Sequence, residues 1–274
     1  ALAGRGRGAG LSGRVPSPGV VQWYGSGLDE DGVPFMVTEF IEGRNLPYPD
    51  GALELPPRAR WAGWDPLLDS MEAALGILAD VHEEDVIPRD IKPQNLMVPA
   101  THGTEILVRL LDFGLARLLR KRNSADKKWM DRLNRKAIKG TPDYMAPEQF
   151  HHRNPESTRT DLYSIGVILY RGLDGEYPYP RFKHFTDKNE YLRLREKRSV
   201  HTLDPRIPEA LREVVETATS FHPADRYPDA LSMRTALREA RQECGKTAGH
   251  PVSVQPRRPA PETDVLPPPP GPSG

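Results

Sequence analysis

Pro88-Arg89-Asp90-Ile91-Lys92-Pro93-Gln94-Asn95 is the stretch on which the reading of this chain turns. It sets a carboxylate, an ammonium and a carboxamide within six residues of one another. Seventeen residues beyond Asn95 stands Asp112-Phe113-Gly114, an acid followed shortly by a glycine that lets the backbone turn sharply. Farther on comes Gly140-Thr141-Pro142-Asp143-Tyr144-Met145-Ala146-Pro147-Glu148. Each run alone is a weak signal, and an isolated Asp-Phe-Gly is usually just a turn. The three in this order carry the information, because a motif gains meaning only from its context. Phosphoryl transfer needs such parts: a carboxylate to orient the attacking hydroxyl, and oxygen ligands to hold magnesium on the phosphates.

Upstream of this stretch the apolar period is helical. Leu67, Leu68, Met71, Leu75, Leu78 and His82 recur at three and four residues, with Asp65 as N-cap and Pro66 at the first helical position. Before that, residues 42–64 read as loop. Val20–Tyr24 and Pro34–Ile41 read as two strands around a Gly/Asp-rich turn at Gly25–Gly32. Downstream, Leu96–Val98 and Ile106–Leu111 are β-like. Helices are expected over Asp161–Tyr170, from Pro208 with Leu211, Val214, Val215 and Ala218 on one side, and over Pro228–Glu243. Residues 1–19 read as flexible Gly/Pro/Arg-rich coil, and 20–243 as the folded domain. Residues 244–274 read as a disordered Pro-rich tail, with nine Pro between 246 and 274.

Composition removes several classes. Lys plus Arg and Asp plus Glu number 38 each, so no net field draws the chain to nucleic acid. No apolar run is long enough to span a bilayer. The start is Gly/Arg-rich, with no apolar core of the signal-peptide kind. One cysteine, Cys244, fits a reducing, cytoplasmic setting. The absence of an initial Met points to a fragment or a processed end.

The three motifs resemble the eukaryotic-type Ser/Thr protein kinase family, including its bacterial members, over roughly residues 18–243. The resemblance implies an α+β protein-kinase-like fold, a partial N-terminal β-lobe on a mainly helical C-terminal lobe. It implies ATP and Mg2+ as cofactors and protein substrates carrying Ser or Thr. Asp90 would be the catalytic carboxylate and Lys92 would touch the transferring phosphate. Asn95 and Asp112 would ligand magnesium, and Thr141 would meet Asp90 and Lys92 from the substrate-docking loop. Met36–Gly43 is similar to the adenine-binding linker, with Thr38 as gatekeeper, backbone groups of Glu39 and Ile41 on the base, and Met97 on its floor. Glu148 would pair with Arg226 as a buried structural couple, and Asp161 would hold the catalytic-loop backbone. Arg89 would pair with a phosphate on the activation segment, where Ser124 is the only hydroxyl side chain between 115 and 140.

The pattern is also broken in places. Family members carry a Gly-rich loop, a phosphate-anchoring Lys and a helix Glu, whereas the first lysine here is Lys92. Gly8-Ala9-Gly10-Leu11-Ser12-Gly13-Arg14-Val15 fits the loop formula, but Pro16-Ser17-Pro18 stands where a strand should continue, so it reads as a chance match. Pro18–Gln22 resembles the segment just after the family's regulatory helix, which implies an N-terminally truncated member. Pro88 replaces the usual His beneath the Asp-Phe-Gly turn. Residues 115–140 hold ten Lys/Arg against two acids, a solvated loop or a dock for an acidic partner. Weak transfer by the truncated chain is therefore set beside an alternative, a pseudokinase or binding module without productive ATP binding. A small-molecule phosphotransferase is disfavoured by the Gly140–Glu148 platform. Val21, Trp23, Phe35 and Val37 are expected to lie exposed and to promote aggregation. The Pro-rich tail reads as a linker, with a groove-binding partner as the sharper reading.

Overall fold

The computed structural model describes residues 17–30, 34–46, 65–100, 108–111, 142–150, 156–180, 188–196 and 202–247. Expectations for Asp112, Ser124, Thr141, the Gly-rich start and the Pro-rich tail lie outside the described residues.

Two small sheets sit against a helical body. In the first, β1 (Trp23–Leu28) and β2 (Pro34–Thr38) pair antiparallel, with a bulge between Trp23 and Gly25. In the second, β3 (Gly43–Asn45), β4 (Leu96–Pro99) and β5 (Arg109–Leu110) run in the order β3-β4-β5, all antiparallel. The strand bounds differ from those read in the sequence. β1 runs through Gly25–Leu28, which the composition marked as turn. The reason is a cross-strand ring: Gly27 pairs with Phe35, whose Cζ lies 2.7 Å from where a Cβ on residue 27 would stand. A glycine there lets the ring cover the backbone. Val20 leaves the hairpin altogether and bridges in parallel to Leu110, with Val21 N–H donating to Leu110 O at 3.1 Å.

That displacement corrects the expected exposed face. Val21 is buried and Trp23 half-buried, because the segment 17–21 packs down onto the body. Phe35 and Val37 do remain exposed, and Phe40 is 92 % exposed. Packing also begins earlier than position 20. Ser17 is buried, and a Cβ on Gly19 would overlap Ile77 Cγ1 at 2.1 Å.

α1 (Asp65–Glu83) follows the apolar period, burying Leu67, Leu68, Met71, Leu75, Leu78 and Val81. α2 (Thr158–Asp174) is buried continuously from Thr160 to Tyr170 and forms the centre of the helical body. It ends at Gly175, whose φ of 89° is the left-handed cap glycine favours, with its N–H donating to Arg171 O at 2.8 Å. α4 (Glu209–Ala218) seats Leu211, Val214, Val215 and Ala218 against it. Gly166 of α2 permits that approach, since a Cβ there would lie 2.8 Å from Ala218 Cβ. α5 (Ala230–Thr247) covers α1 through Ala230, Met233, Leu237 and Ala240, and continues past the expected end at 243. Its Arg238 and Arg241 reach Glu72 and Asp65, at 3.1 and 3.0 Å, surface pairs of small net worth beside the apolar seam.

α3 (Lys188–Glu196) was not placed from sequence, since its apolar residues are few. Its anchor is Arg195, wholly buried among aromatic rings. The guanidinium carbon stands 4.9 Å from the Tyr163 ring, 5.1 Å from those of Tyr179 and Tyr191, and 5.7 Å from that of Phe150. Arg195 Nη2 donates to Met145 O at 2.7 Å and to the Tyr163 hydroxyl. Ring faces thus offset part of the cost of burying a cation.

The most deeply buried ion pair among the described residues is Glu148 with Arg226. Their side chains are 2 % and 0 % exposed, and the contact is bidentate, at 2.8 and 2.9 Å. The remaining guanidinium hydrogens go to Ser220 O, Arg159 O and Phe221 O, so all the donors of Arg226 are satisfied. Thr160 Oγ1 donates to Glu148 Oε1 at 2.9 Å and accepts from Ser157 N–H at the start of α2. Burial pushes the Glu148 carboxyl up, but Arg226, the backbone and Thr160 outweigh it and hold it below its ordinary 4.5.

Two outcomes follow from that balance. Arg226→Met strands a buried carboxylate and destabilises the fold by about 3–5 kcal/mol in urea unfolding. A loss under ~1 kcal/mol would overturn the account. Because the folded carboxyl is depressed, its contribution is complete above the ordinary glutamate value and fades as pH falls through the folded one. The stability gap between wild type and Glu148→Gln is therefore widest near neutrality and closes in acid. A gap independent of pH would contradict it.

Candidate active site

The strand β4 and the 3-10 turn Pro93–Asn95 before it fix the quoted stretch in place. Asn95 N–H donates to Lys92 O at 2.9 Å, closing the turn, and Asn95 O accepts from Leu111 N–H at 2.8 Å. The loop is thereby tied to the end of β5, one residue before Asp112. Asp90, Lys92 and Asn95 converge. Lys92 Nζ donates to Asp90 Oδ2 at 2.7 Å, while Asn95 Nδ2 donates to Asp90 O at 2.8 Å and to Oδ2 at 3.2 Å. The Asp90 side chain is 33 % exposed and so can meet a substrate. Both bonds use Asn95 Nδ2 and neither uses its amide oxygen.

The residue before Asp90 is held by an unusual number of side chains. Arg89 has φ 70°, the left-handed region that a side chain other than glycine seldom adopts. Its N–H donates to Asp161 Oδ1 at 2.7 Å, and its carbonyl accepts from Gln149 Nε2 at 2.8 Å. Its Nε lies 2.8 Å from Glu156 Oε2, an ion pair whose N–H is not aligned for a hydrogen bond. Asp161 has no exposed surface, and its other oxygen, Oδ2, meets His82 Nε2 at 2.9 Å. Burial pushes the Asp161 carboxyl above its ordinary value, against the His82 and Arg89 contacts that pull it down.

The linker expected to read adenine follows β2. Glu39 N–H is taken by Gln22 O at 2.8 Å. The Glu39 carboxylate pairs with Arg109 of β5, which also donates to Pro18 O. Ile41 and Met97 are half-buried, Met97 standing between Asn45 and Arg109 in the sheet, while Thr38 is exposed at the end of β2. Asp112 and Thr141 lie outside the described residues, as does Ser124.

Three residues of this arrangement were missed in the sequence. His82 was read only as a member of an apolar stripe, yet a polar residue in an apolar register is itself a sign of a buried partner. Gln149 and Glu156 gave no signal, because their contacts to Arg89 join segments sixty and sixty-seven residues apart. Among the described residues no cluster of three or more His, Cys, Asp or Glu could hold a metal. No helix among them is long and apolar enough to cross a membrane.

The model of the protein kinase domain matches residues 11–238. The chain belongs to the protein kinase family. It is 31 % identical over 233 residues to serine/threonine-protein kinase PknL of Mycobacterium tuberculosis, covering 84 % of this chain and 52 % of that one. It is 30 % identical over 214 residues to serine/threonine-protein kinase Pkn1 of Myxococcus xanthus, covering 77 % and 28 %. The chain thus spans only about half, or less, of the length of these relatives. Among solved structures, the Mycobacterium tuberculosis PknI kinase domain superposes with a TM-score of 0.55 at 17 % identity, over 84 % of this chain and 75 % of that one. That likeness speaks for the kinase fold: small sheets on a mainly helical lobe.

Asp161 generates the prediction for this kinase-family chain. Asp161→Ala removes the acceptor of the Arg89 N–H and strands the His82 ring, for a loss of about 2–4 kcal/mol in chemical unfolding. His82→Ala alone costs less, since the Arg89 bond survives. The reverse order of the two losses would show that the loop does not depend on Asp161.

Proposed function

We propose that this chain carries a site for ATP- and magnesium-dependent phosphoryl transfer to Ser or Thr of protein substrates. One observation carries the reading: Asp90, Lys92 and Asn95 share a hydrogen-bonded cluster, with the Asp90 carboxylate still open to solvent. Asp90 orients the substrate hydroxyl and takes its proton as the new P–O bond forms and the bond to the ADP leaving group breaks. The Lys92 ammonium, 2.7 Å from Asp90, stands where it can also counter charge on the transferring group.

The donor set suits magnesium, a hard cation that takes oxygen ligands: the Asn95 amide oxygen and the Asp112 carboxylate. Magnesium, when bound there, neutralises charge on the phosphates. Backbone groups of Glu39 and Ile41 would receive the adenine, with Met97 beneath it and Thr38 beside it. Thr141 would meet Asp90 and Lys92 from the platform. Arg89 would take a phosphate placed on Ser124, in competition with Glu156. A cytoplasmic setting and a Pro-rich tail that engages a partner belong to the same reading.

A second reading rests on a specific observation. The sequence holds no lysine before Lys92, so no ammonium from that stretch grips the α- and β-phosphates. Transfer by this polypeptide alone is then slow, and a binding role without productive ATP binding competes with catalysis.

Calorimetry of MgATP with wild type and Asp112→Ala, followed by phosphate incorporation into Ser/Thr peptides with Asp90→Asn as blank, separates the two. Binding lost in Asp112→Ala together with incorporation lost in Asp90→Asn supports the enzyme. No binding at millimolar ATP supports the binding module.

A further inference from the structure

We infer that Gln149 is a positioning residue, which holds the peptide plane between Arg89 and Asp90 and so aims the Asp90 carboxylate. The inference rests on the phosphoryl-transfer reading of Asp90. Gln149 follows Glu148 in the turn Pro147–Phe150, sixty residues beyond Arg89. Its carboxamide is used at both ends. Nε2 donates to Arg89 O at 2.8 Å, and Oε1 accepts from Ala146 N–H at 2.8 Å.

Arg89 O belongs to the same planar amide as the Asp90 nitrogen. Fixing that oxygen therefore fixes the rotation of the plane from which Asp90 projects. The plane needs such a hold, because Arg89 sits at φ 70°, a conformation that persists only where surrounding groups over-determine it. Asp161 holds the amide on the N-terminal side of Arg89 and Gln149 the carbonyl on its C-terminal side, so the strained residue is clamped from both directions. Few other side chains can do this. A carboxylate of the same length presents oxygen to oxygen, and an aliphatic chain leaves both Arg89 O and Ala146 N–H without partners.

Because Ala146 is part of the same segment as the docking platform, the clamp also joins platform and catalytic loop through one side chain. Glu148 and Arg226 anchor that segment from below. The platform can then transmit its position to Asp90 without any contact to the Asp90 carboxylate itself.

The test compares the full 274-residue chain with Gln149→Met, which lacks both hydrogen bonds, and Gln149→Glu, which keeps the acceptor for Ala146 N–H and loses the donor. Amide hydrogen exchange at Arg89 is read by NMR, with amides inside α2 as the control for folding. Exchange at Arg89 is expected to quicken about tenfold in both variants while α2 stays unchanged, the equivalent of one net hydrogen bond. In transfer assays kcat falls about tenfold while the KM for ATP moves less than about twofold. The Gln149→Glu variant regains kcat as pH falls, because a protonated carboxyl donates again to Arg89 O, whereas Gln149→Met does not. Unchanged exchange at Arg89, or a full kcat in either variant, overturns the inference. Quickened exchange in a chain whose wild type transfers no phosphate upholds the clamp and overturns the catalytic reading instead. Should Gln149→Met fail to fold, Gln149→Glu carries the measurement.

Discussion

A carboxylate with no exposed surface, that of Asp161, is the constraint on which the rest of this molecule hangs. It sits in the first turn of α2, where the helix dipole favours an acid, and it faces the loop that carries Asp90. Without its grip on the Arg89 amide, a non-glycine residue at φ 70° keeps only the hold of Gln149 on its carbonyl and the Glu156 ion pair. The cluster of Asp90, Lys92 and Asn95 then loses its frame. Charge buried in α2 is thus converted into the geometry of a loop some seventy residues earlier in the chain.

Glu148 and Asp161 are the two most deeply buried acids among the described residues, and their opposite shifts tell their partners apart. Both feel desolvation first. Glu148 has a permanent cation in bidentate contact, so the charged form wins and its carboxyl is held low. Asp161 has an imidazole and a backbone amide, which return less than burial takes, and its carboxyl is pushed up. Glu148 accordingly acts as a fixed rivet between the platform and the end of the lobe. Asp161 holds its loop at a cost that only a well-packed α2 sustains. That packing is visible in the unbroken burial from Thr160 to Tyr170.

Much of this was legible in the sequence because it is written in local periods and in short runs of unlike residues. The apolar stripes of α1, α4 and α5 gave those helices to within a few residues, and the run around Asp90 gave the cluster. Glycine misled the strand reading, because at Gly27 its role is to admit the Phe35 ring and not to turn the chain. Val21 misled it too. An apolar residue beside a hairpin can face the hairpin or the body, and only the parallel bridge of Val20 to Leu110 decides. Gln149, Glu156 and Arg195 were unreadable for a common reason. Each owes its place to contacts between segments distant in the chain, to Arg89 O, to Arg89 Nε, and to Met145 O and the rings around it, and such contacts leave no period in a sequence.

The proline at position 88 shows how such a network absorbs a local loss. Proline has no N–H, so position 88 itself offers Asp161 no backbone donor; the Arg89 N–H reaches Oδ1 alone, and Oδ2 would face the loop without a donor. The structure fills that place from α1: His82 Nε2 stands 2.9 Å from Asp161 Oδ2. The contact runs through Nε2 alone, since the other nitrogen, Nδ1, is buried with no hydrogen-bond partner, and its direction is fixed much as that of a backbone amide would be. The substitution that the sequence marks as a defect in the catalytic loop is offset by a side chain that the same sequence presents as one more residue of a helical stripe.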